Sequence, residues 1–181
     1  MHNQSATQLP RALPGGLLRR LRTGDLAAFQ AYRSIPELGR YQGWTPMSEA
    51  EAAAFLAEMS EAPLFTPGDW VQLGIAQPES GQLIGDIGIF LSADGLTGEL
   101  GFTLAPGAQG RGTATAAVRQ ALQIVFGLTS VKQVLGVTDS RNVASIRLLE
   151  RVGFRHHESR NAVFRGQPCG EEVYVLPRND G

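Results

Sequence analysis

Residues Gln109 to Ala114 read Gln-Gly-Arg-Gly-Thr-Ala, and an apolar-faced stretch free of glycine and proline, Thr113–Phe126, follows at once. Small residues let the backbone approach a ligand closely. The N–H groups that open a helix lack intrahelical partners and carry the positive end of its dipole. Such an arrangement holds phosphate without a cationic side chain. Further along, the segment Asn142-Val-Ala-Ser145-Ile-Arg-Leu-Leu-Glu-Arg-Val-Gly153-Phe154 has the same character. Together the two imply a ligand with phosphates at one end and a reactive group at the other. A P-loop is excluded, because no Gly-Lys-Ser/Thr follows the glycines. Gly110-x-Gly112-x-x-Thr115, with Asp139 ending the next strand, approaches a dinucleotide fingerprint. The segment before it, however, reads as a hairpin meander, and the remaining chain is too short for a doubly wound sheet.

The elements that must position these residues follow from periodicity and turn chemistry. Residues 1–16 are polar and then punctuated by Pro10, Pro14, Gly15 and Gly16, which predicts a flexible arm before a single domain over residues 17–181. Leu17–Arg22 reads as a first strand, with Arg19, Arg20 and Arg22 on its solvent face, and Leu26–Tyr32 as a helix. Gly39–Met47 is irregular. Ser48 and Glu51 form a capping box that opens a helix to about Ser60. Trp70–Ala76, Leu83–Leu91 and Glu99–Leu104, separated by tight turns, predict an antiparallel meander. The helix Thr113–Phe126, the strand Val131–Thr138 and the helix Asn142–Val152 come next. Gly153 suits a left-handed residue past that helix, with Phe154 packing back on Leu149. Val163–Arg165 and Glu171–Leu176 close the chain as a hairpin. The fold class is α+β with a mixed, mostly antiparallel sheet.

The 181 residues are 43% apolar and 18% charged, with a formal charge of −1. That is the profile of a globular domain with a real core, and it lacks the basic excess expected of nucleic-acid or anionic-membrane binders. No apolar run approaches a membrane span and no signal peptide is visible. The lone Cys169 has no internal disulfide partner, so a cytoplasmic location is expected.

Gln109-Gly110-Arg111-Gly112-Thr113-Ala114 resembles the Gln/Arg-x-x-Gly-x-Gly/Ala acetyl-CoA signature of the GNAT N-acetyltransferases. Glu99-Leu-Gly-Phe-Thr-Leu-Ala-Pro106 looks like the fourth strand of that family. Asn142-x-x-Ser145-x-x-x-Leu149-Glu150-x-x-Gly153-Phe154 is similar to its later motif, in the version of the branch containing ribosomal-protein alanine N-acetyltransferases. The resemblance runs from about Leu17 to Leu176.

It implies a sheet splayed between the fourth and fifth strands, with the pantetheine arm of acetyl-CoA lying in the gap. Phe102, Thr103 and Leu104 would pair with the arm through backbone groups. Gln109, Gly110, Arg111, Gly112, Thr113 and Ala114 would hold the pyrophosphate. Asn142 would contact the arm near its β-alanine or, alternatively, cap the helix it starts. No metal is implied. The resemblance also implies that a neutral amine attacks the thioester. An α-amine of pKa about 8 is about 10% neutral at pH 7, whereas a lysine near 10.4 is neutral in only a few molecules per ten thousand. That gap costs about 3 kcal/mol, so a lysine acceptor needs a real base far more than an N-terminus does. Glu99 is the first candidate for base or water-positioning residue, against a reading as an outward edge residue. Asp86 is the second candidate, against a turn or bulge acid. The tyrosine that many such enzymes place on the last helix, as acid to the thiolate, is replaced here by Leu148 and Leu149. Ser145 is the expected substitute as hydrogen-bond donor.

Tyr41, Trp44 and Phe65 fall on segments that usually wall the acceptor groove. His156 and His157 lack a metal-ligand cluster around them. The expected partner is a small-molecule or peptide amine, without nucleic acid or membrane and with a homodimer left open. The rival functional class is a CoA-binding sensor or assembly module that has lost catalysis.

Overall fold

The computed structural model describes residues 9–179. The helices and strands run in the order β1 (Arg11–Leu13), β2 (Gly16–Arg20), α1 (Leu26–Arg33), α2 (Pro36–Gly39), α3 (Glu49–Glu61), β3 (Trp70–Ala76), β4 (Leu83–Leu91), β5 (Thr97–Leu104), α4 (Thr113–Leu128), β6 (Gln133–Asp139), α5 (Val143–Val152), β7 (Arg155–Phe164) and β8 (Gln167–Pro177). One eight-stranded sheet takes them in the order β1-β2-β3-β4-β5-β6-β8-β7. All neighbours are antiparallel except β5 and β6, whose parallel pairing runs only from Thr97–Gln133 to Leu100–Gly136. Beyond Leu100, β5 stays paired to β4 as far as Leu104, but its other edge has left β6. Among the described residues no helix is long and apolar enough to cross a membrane.

Strand alternation sorts the two faces. Ile87, Ile89 and Leu91 of β4 and Leu100 and Leu104 of β5 face α4, where Ala117, Val118, Ala121, Ile124 and Val125 complete the main core. A second cluster of Leu21, Phe29, Tyr32, Leu56 and Leu83 packs α1 and α3 on the opposite face, toward the β2–β4 end. The rest of that face, including Gly101 and Glu99, lies beyond these helices. The predicted capping box is present: Ser48 Oγ accepts from Glu51 N at 3.3 Å and Glu51 Oε2 accepts from Ser48 N at 2.8 Å. Gly153 is left-handed at φ +114°, and Phe154 N bonds Leu149 O at 3.0 Å, which folds Phe154 back into the core.

Four expectations are corrected. Arg11–Leu13, assigned to the arm, is an edge strand paired with β2, and Leu13 is buried; residues 1–8 lie outside the described residues. Three residues are too few to show a strand period. The closing hairpin is far longer than predicted, because Arg155–Phe164 forms a strand without apolar alternation, exposed along the sheet edge. Its two-residue turn puts Arg165 at φ +52° and Gly166 at φ +74°, the twist that a tight hairpin favours. Arg19 is buried rather than on the solvent face, in a two-pronged pair with Asp25 at 2.8 Å, and it also donates to Gly81 O. The 3-10 turn Thr23–Asp25 and the β3–β4 turn cover what would otherwise be its outer face.

Asp86 is the fourth. It lies mid-strand in β4, fully buried, where it takes both a bond from Arg33 Nη2 at 2.6 Å and one from Gln72 Nε2 at 2.6 Å, as well as the Tyr32 hydroxyl. Burial, reinforced by the Asp86 carboxylate, drives the Tyr32 phenol far above its ordinary range. A carboxylate shared in this way anchors α1 to the sheet from mid-strand and is not a turn or bulge acid.

Replacing Arg19 alone with methionine strands Asp25 without its partner and should cost about 3–5 kcal/mol in urea unfolding. The double change Arg19→Met with Asp25→Leu should recover most of that loss. Equal destabilisation by the single and double changes would show that the pair itself is not what matters.

Candidate functional site

The loss of β6 as a partner leaves a cleft of about 530 Å³ between the free edge of β5, the start of α4 and the start of α5. The glycine loop forms one end. Gly110 and Gly112 adopt φ +76° and +78°, and nothing lies within 4 Å of where a Cβ would stand on either. Gly112 is the residue at which α4 begins, and no side chain caps that end, so its first N–H groups remain free to meet a ligand. Gln109 donates to Leu104 O at 2.9 Å and so closes the turn between β5 and the loop. The turn of the β1–β2 hairpin backs the same site: a Cβ on Gly15 would stand 3.0 Å from Thr113 Oγ1. Part of the supposed arm is therefore a buttress of the loop.

Of the residues expected to hold the cofactor, Phe102, Thr103, Leu104, Gln109, Gly110, Gly112, Thr113, Ala114 and Asn142 all line this cleft, and Arg111 does not. Their roles along β5 differ. The Thr103 carbonyl faces β4, since a Cβ on Gly85 would stand 2.4 Å from it. Phe102 O and Leu104 O instead receive bonds from Gln42 Nε2 at 3.1 Å and from Gln109. Alternation along the strand therefore puts the backbone groups of Phe102 and Leu104 on the free edge and turns those of Thr103 away. This corrects the expectation that all three residues pair into the gap. Asn142 both lines the cleft and caps α5, its Oδ1 accepting from Ser145 N at 3.3 Å. Its amide nitrogen is what it can offer a ligand.

A smaller cavity of about 30 Å³ adjoins the splay, lined by Leu100, Gly136 and Leu149 and also by Gly101 and Val137, which alternate to the other face. Ser145, Asn142, Phe102, Tyr41 and Gln42 line both spaces. Ser145 thus stands on the wall that the two spaces share. Glu99 lines neither cavity. It is on the open face of β5, two residues before Gly101 and opposite Leu135 of β6, half-buried. Burial pushes its carboxyl above the ordinary glutamate range; Glu171 adds to that, and Arg160 works against it.

Tyr41 and Gln42 come from the irregular segment before α3, and sequence reasoning had no role for Gln42. Its signal was only its place beside Tyr41, with nothing to say that its amide reaches a strand edge 60 residues away. The segment is held from two sides. Arg33, fixed by Asp86, lies over the Trp44 ring at 4.3 Å, and Trp44 Nε1 donates to Thr103 Oγ1 at 3.4 Å. From the β7–β8 turn, Arg165 donates to Gly39 O at 3.1 Å and Trp44 O at 2.8 Å. On Tyr41 itself, the Arg40 and Arg141 guanidiniums sit 5.4 and 5.5 Å from the ring centre. The Arg141 side chain binds Asp139 through two bonds and holds that carboxyl below its usual range.

With this geometry in view, the kinships are specific. The family profile described as an acetyltransferase (GNAT) domain matches residues 17–155. The uncharacterized N-acetyltransferase YoaA of Bacillus subtilis is 28% identical over 167 residues, covering 90% of this chain and 94% of its own. Among solved structures, the ribosomal L7/L12 α-N-protein acetyltransferase RimL in complex with coenzyme A superposes with a TM-score of 0.82 at 13% identity, over 96% of this chain and 100% of that one. The spermidine N-acetyltransferase of Vibrio cholerae, in complex with CoA and spermine, gives 0.77 at 18% identity, over 90% and 95%. The open cleft at the splayed parallel pair, the uncapped glycine-led helix and the profile match lead to one family: this chain belongs to the GNAT acetyltransferases, N-acetyltransferases that transfer an acyl group from acetyl-CoA.

Proposed function

We propose that this protein acetylates a primary amine, either a protein N-terminus or a small-molecule amine, by direct attack within a ternary complex. What carries the reading is the open cofactor cleft at the end of the β5–β6 pairing, which shares Tyr41, Gln42, Phe102, Asn142 and Ser145 with a second small cavity where the two strands part. A thioester entering from the α4–α5 side meets an acceptor arriving on the Glu99 side. The uncapped N–H groups after Gly112 receive the pyrophosphate, with the loop from Gln109 to Ala114 wrapped around it. The free edge at Phe102 and Leu104 receives the pantetheine amides once the Gln42 amide yields, and the Asn142 amide nitrogen adds a donor.

Chemically, the amine lone pair forms the new C–N bond as the C–S bond breaks. Glu99, directly or through one water, takes the proton that the amine sheds. Ser145 Oγ donates a hydrogen bond to the departing sulfur. A serine hydroxyl is a weak acid but an adequate donor, and a thiol of pKa about 8.5 leaves without a strong one. Tyr41 is the other hydroxyl common to both spaces and the natural comparison.

Three measurements test the proposal. Acetyl-CoA at 100 times its Kd should stabilise the protein by about 2.7 kcal/mol, and Gly112→Val, which forces a branched residue into a left-handed backbone, should abolish that shift. Against a panel of N-terminal peptides, small amines and spermidine, the wild type should release CoA with at least one acceptor. Binding without any turnover would leave a CoA-binding module.

Glu99→Gln should lower kcat by about 10²–10⁴. Because burial raises the Glu99 pKa, the acidic limb of the wild-type kcat profile should lie above the ordinary glutamate range and vanish in that variant. An unchanged limb would remove Glu99 as the base. Ser145→Ala should cost roughly 10–100-fold in kcat, the worth of a hydrogen bond to a charged group. If Tyr41→Phe costs this instead, the donor is Tyr41.

A further inference from the structure

Most glycines inside the strands are explained by what stands beside them. A Cβ on Gly136 would meet Leu149 at 2.6 Å, one on Gly74 would meet Leu83 at 2.9 Å, and one on Gly85 would meet the Thr103 carbonyl at 2.4 Å. Gly101 differs from all of these. It lies in the middle of β5, its φ is outside the left-handed region, and nothing lies within 4 Å of where its Cβ would be. Neither backbone conformation nor packing calls for glycine there. A bare glycine is a weak strand residue, so this position forgoes stability that a side chain would supply.

The direction in which a side chain would point gives the reason. Alternation puts Gly101 on the face of Glu99 and Thr103, away from α4. Thr103 is covered there by Trp44, and Glu99 is about 6.6 Å along the strand in the other direction. Between them, Gly101 borders the small cavity where β5 parts from β6. On the reading proposed above, the acceptor amine approaches the acyl carbon along this side of β5.

We infer that Gly101 is the residue that sets the acceptor's allowed width: its missing side chain keeps open the approach of the amine-bearing carbon to the thioester. Donor binding is separate from it, because the cofactor edge is made by Phe102 and Leu104 and by the glycine loop. Substitution therefore acts on the acceptor and leaves the donor alone.

The test uses Gly101→Ala and Gly101→Val in the full chain, with acetyl-CoA and whichever amine of the panel the wild type acetylates best. That amine is compared with its homologue branched at the carbon bearing the amine. The Kd for CoA should stay within about twofold and the thermal midpoint should not fall, since there is room for a side chain. The ratio of kcat/KM for the unbranched over the branched acceptor should rise at least tenfold from glycine to valine, with alanine between, while the KM for acetyl-CoA holds. Equal losses on both acceptors, a parallel loss of CoA binding, or a drop in thermal stability would overturn the inference. A wild type inactive on every amine would instead overturn the acetyl-transfer reading beneath it, and that result is read before any variant is made.

Discussion

The site depends on an unpaired strand edge. β5 and β6 pair only from Thr97–Gln133 to Leu100–Gly136, and past that point β5 carries N–H and C=O groups with no ladder partner on that side. Buried backbone polar groups must be satisfied. Here the carbonyls are met by two side-chain amides, Gln42 at Phe102 and Gln109 at Leu104, which come from the acceptor-side loop and the glycine loop. The vacant edge therefore recruits both flanking loops and fixes them around the cleft. A ligand that offers its own amides at this edge would compete with Gln42 for the Phe102 carbonyl. At the last paired position, Leu149 of α5 packs directly on Gly136, which has no room for even a methyl group. α5 can sit this close to β6 only because that residue is glycine.

Around that edge, the segment holding Tyr41, Gln42 and Trp44 is stiffened by buried polar groups. Asp86 is shared by Arg33, Tyr32 and Gln72, and Arg33 continues the chain to Trp44, whose indole reaches Thr103 on the neighbouring strand. A network of this kind is favourable only when every member is satisfied, since removing one partner leaves a buried charge. Its use is geometric: it fixes the distance between the acceptor segment and the free edge of β5. Arg165 contributes the opposite tie, from a strained position at the hairpin tip into three backbone carbonyls of the same segment. The segment reads as irregular in sequence because its order comes from residues elsewhere in the chain.

That contrast explains what could be read from the residues alone. The meander from Trp70 to Leu104, the glycine-led helix and the Gly153-Phe154 turn rest on local spacing, and all are present in the fold. The cleft gathers nearly the whole expected cofactor set because those residues flank two helix starts that the motifs themselves define. What escaped was non-local. Arg19 looks like a surface charge, and Asp86 like a candidate base or a turn or bulge acid, until a turn and a helix close over them, and Thr103 looks like its neighbours until strand direction assigns its carbonyl to β4. β7 is polar almost throughout, so no period-2 signal exists to find it. Gly101 was likewise unreadable: a glycine that is required by space looks, in sequence, the same as one required by a turn.

Placing Glu99 on the half-buried face involves a conflict between stability and chemistry. Its carboxyl is raised by burial, so the folded state holds the proton more tightly than the unfolded chain does. Such a group stabilises the fold fully below its unfolded pKa of about 4.3, and that contribution is lost as pH rises through the higher folded value. At neutral pH the ionised Glu99 therefore weighs against the fold. On the proposed reading, the same shift narrows the gap to an α-amine of pKa about 8 and makes proton transfer to Glu99 less unfavourable. A fully exposed carboxylate would avoid the cost but be a poorer match for the amine. On the proposed reading, half-burial on the face of Gly101 makes Glu99 a stronger base than an exposed glutamate would be.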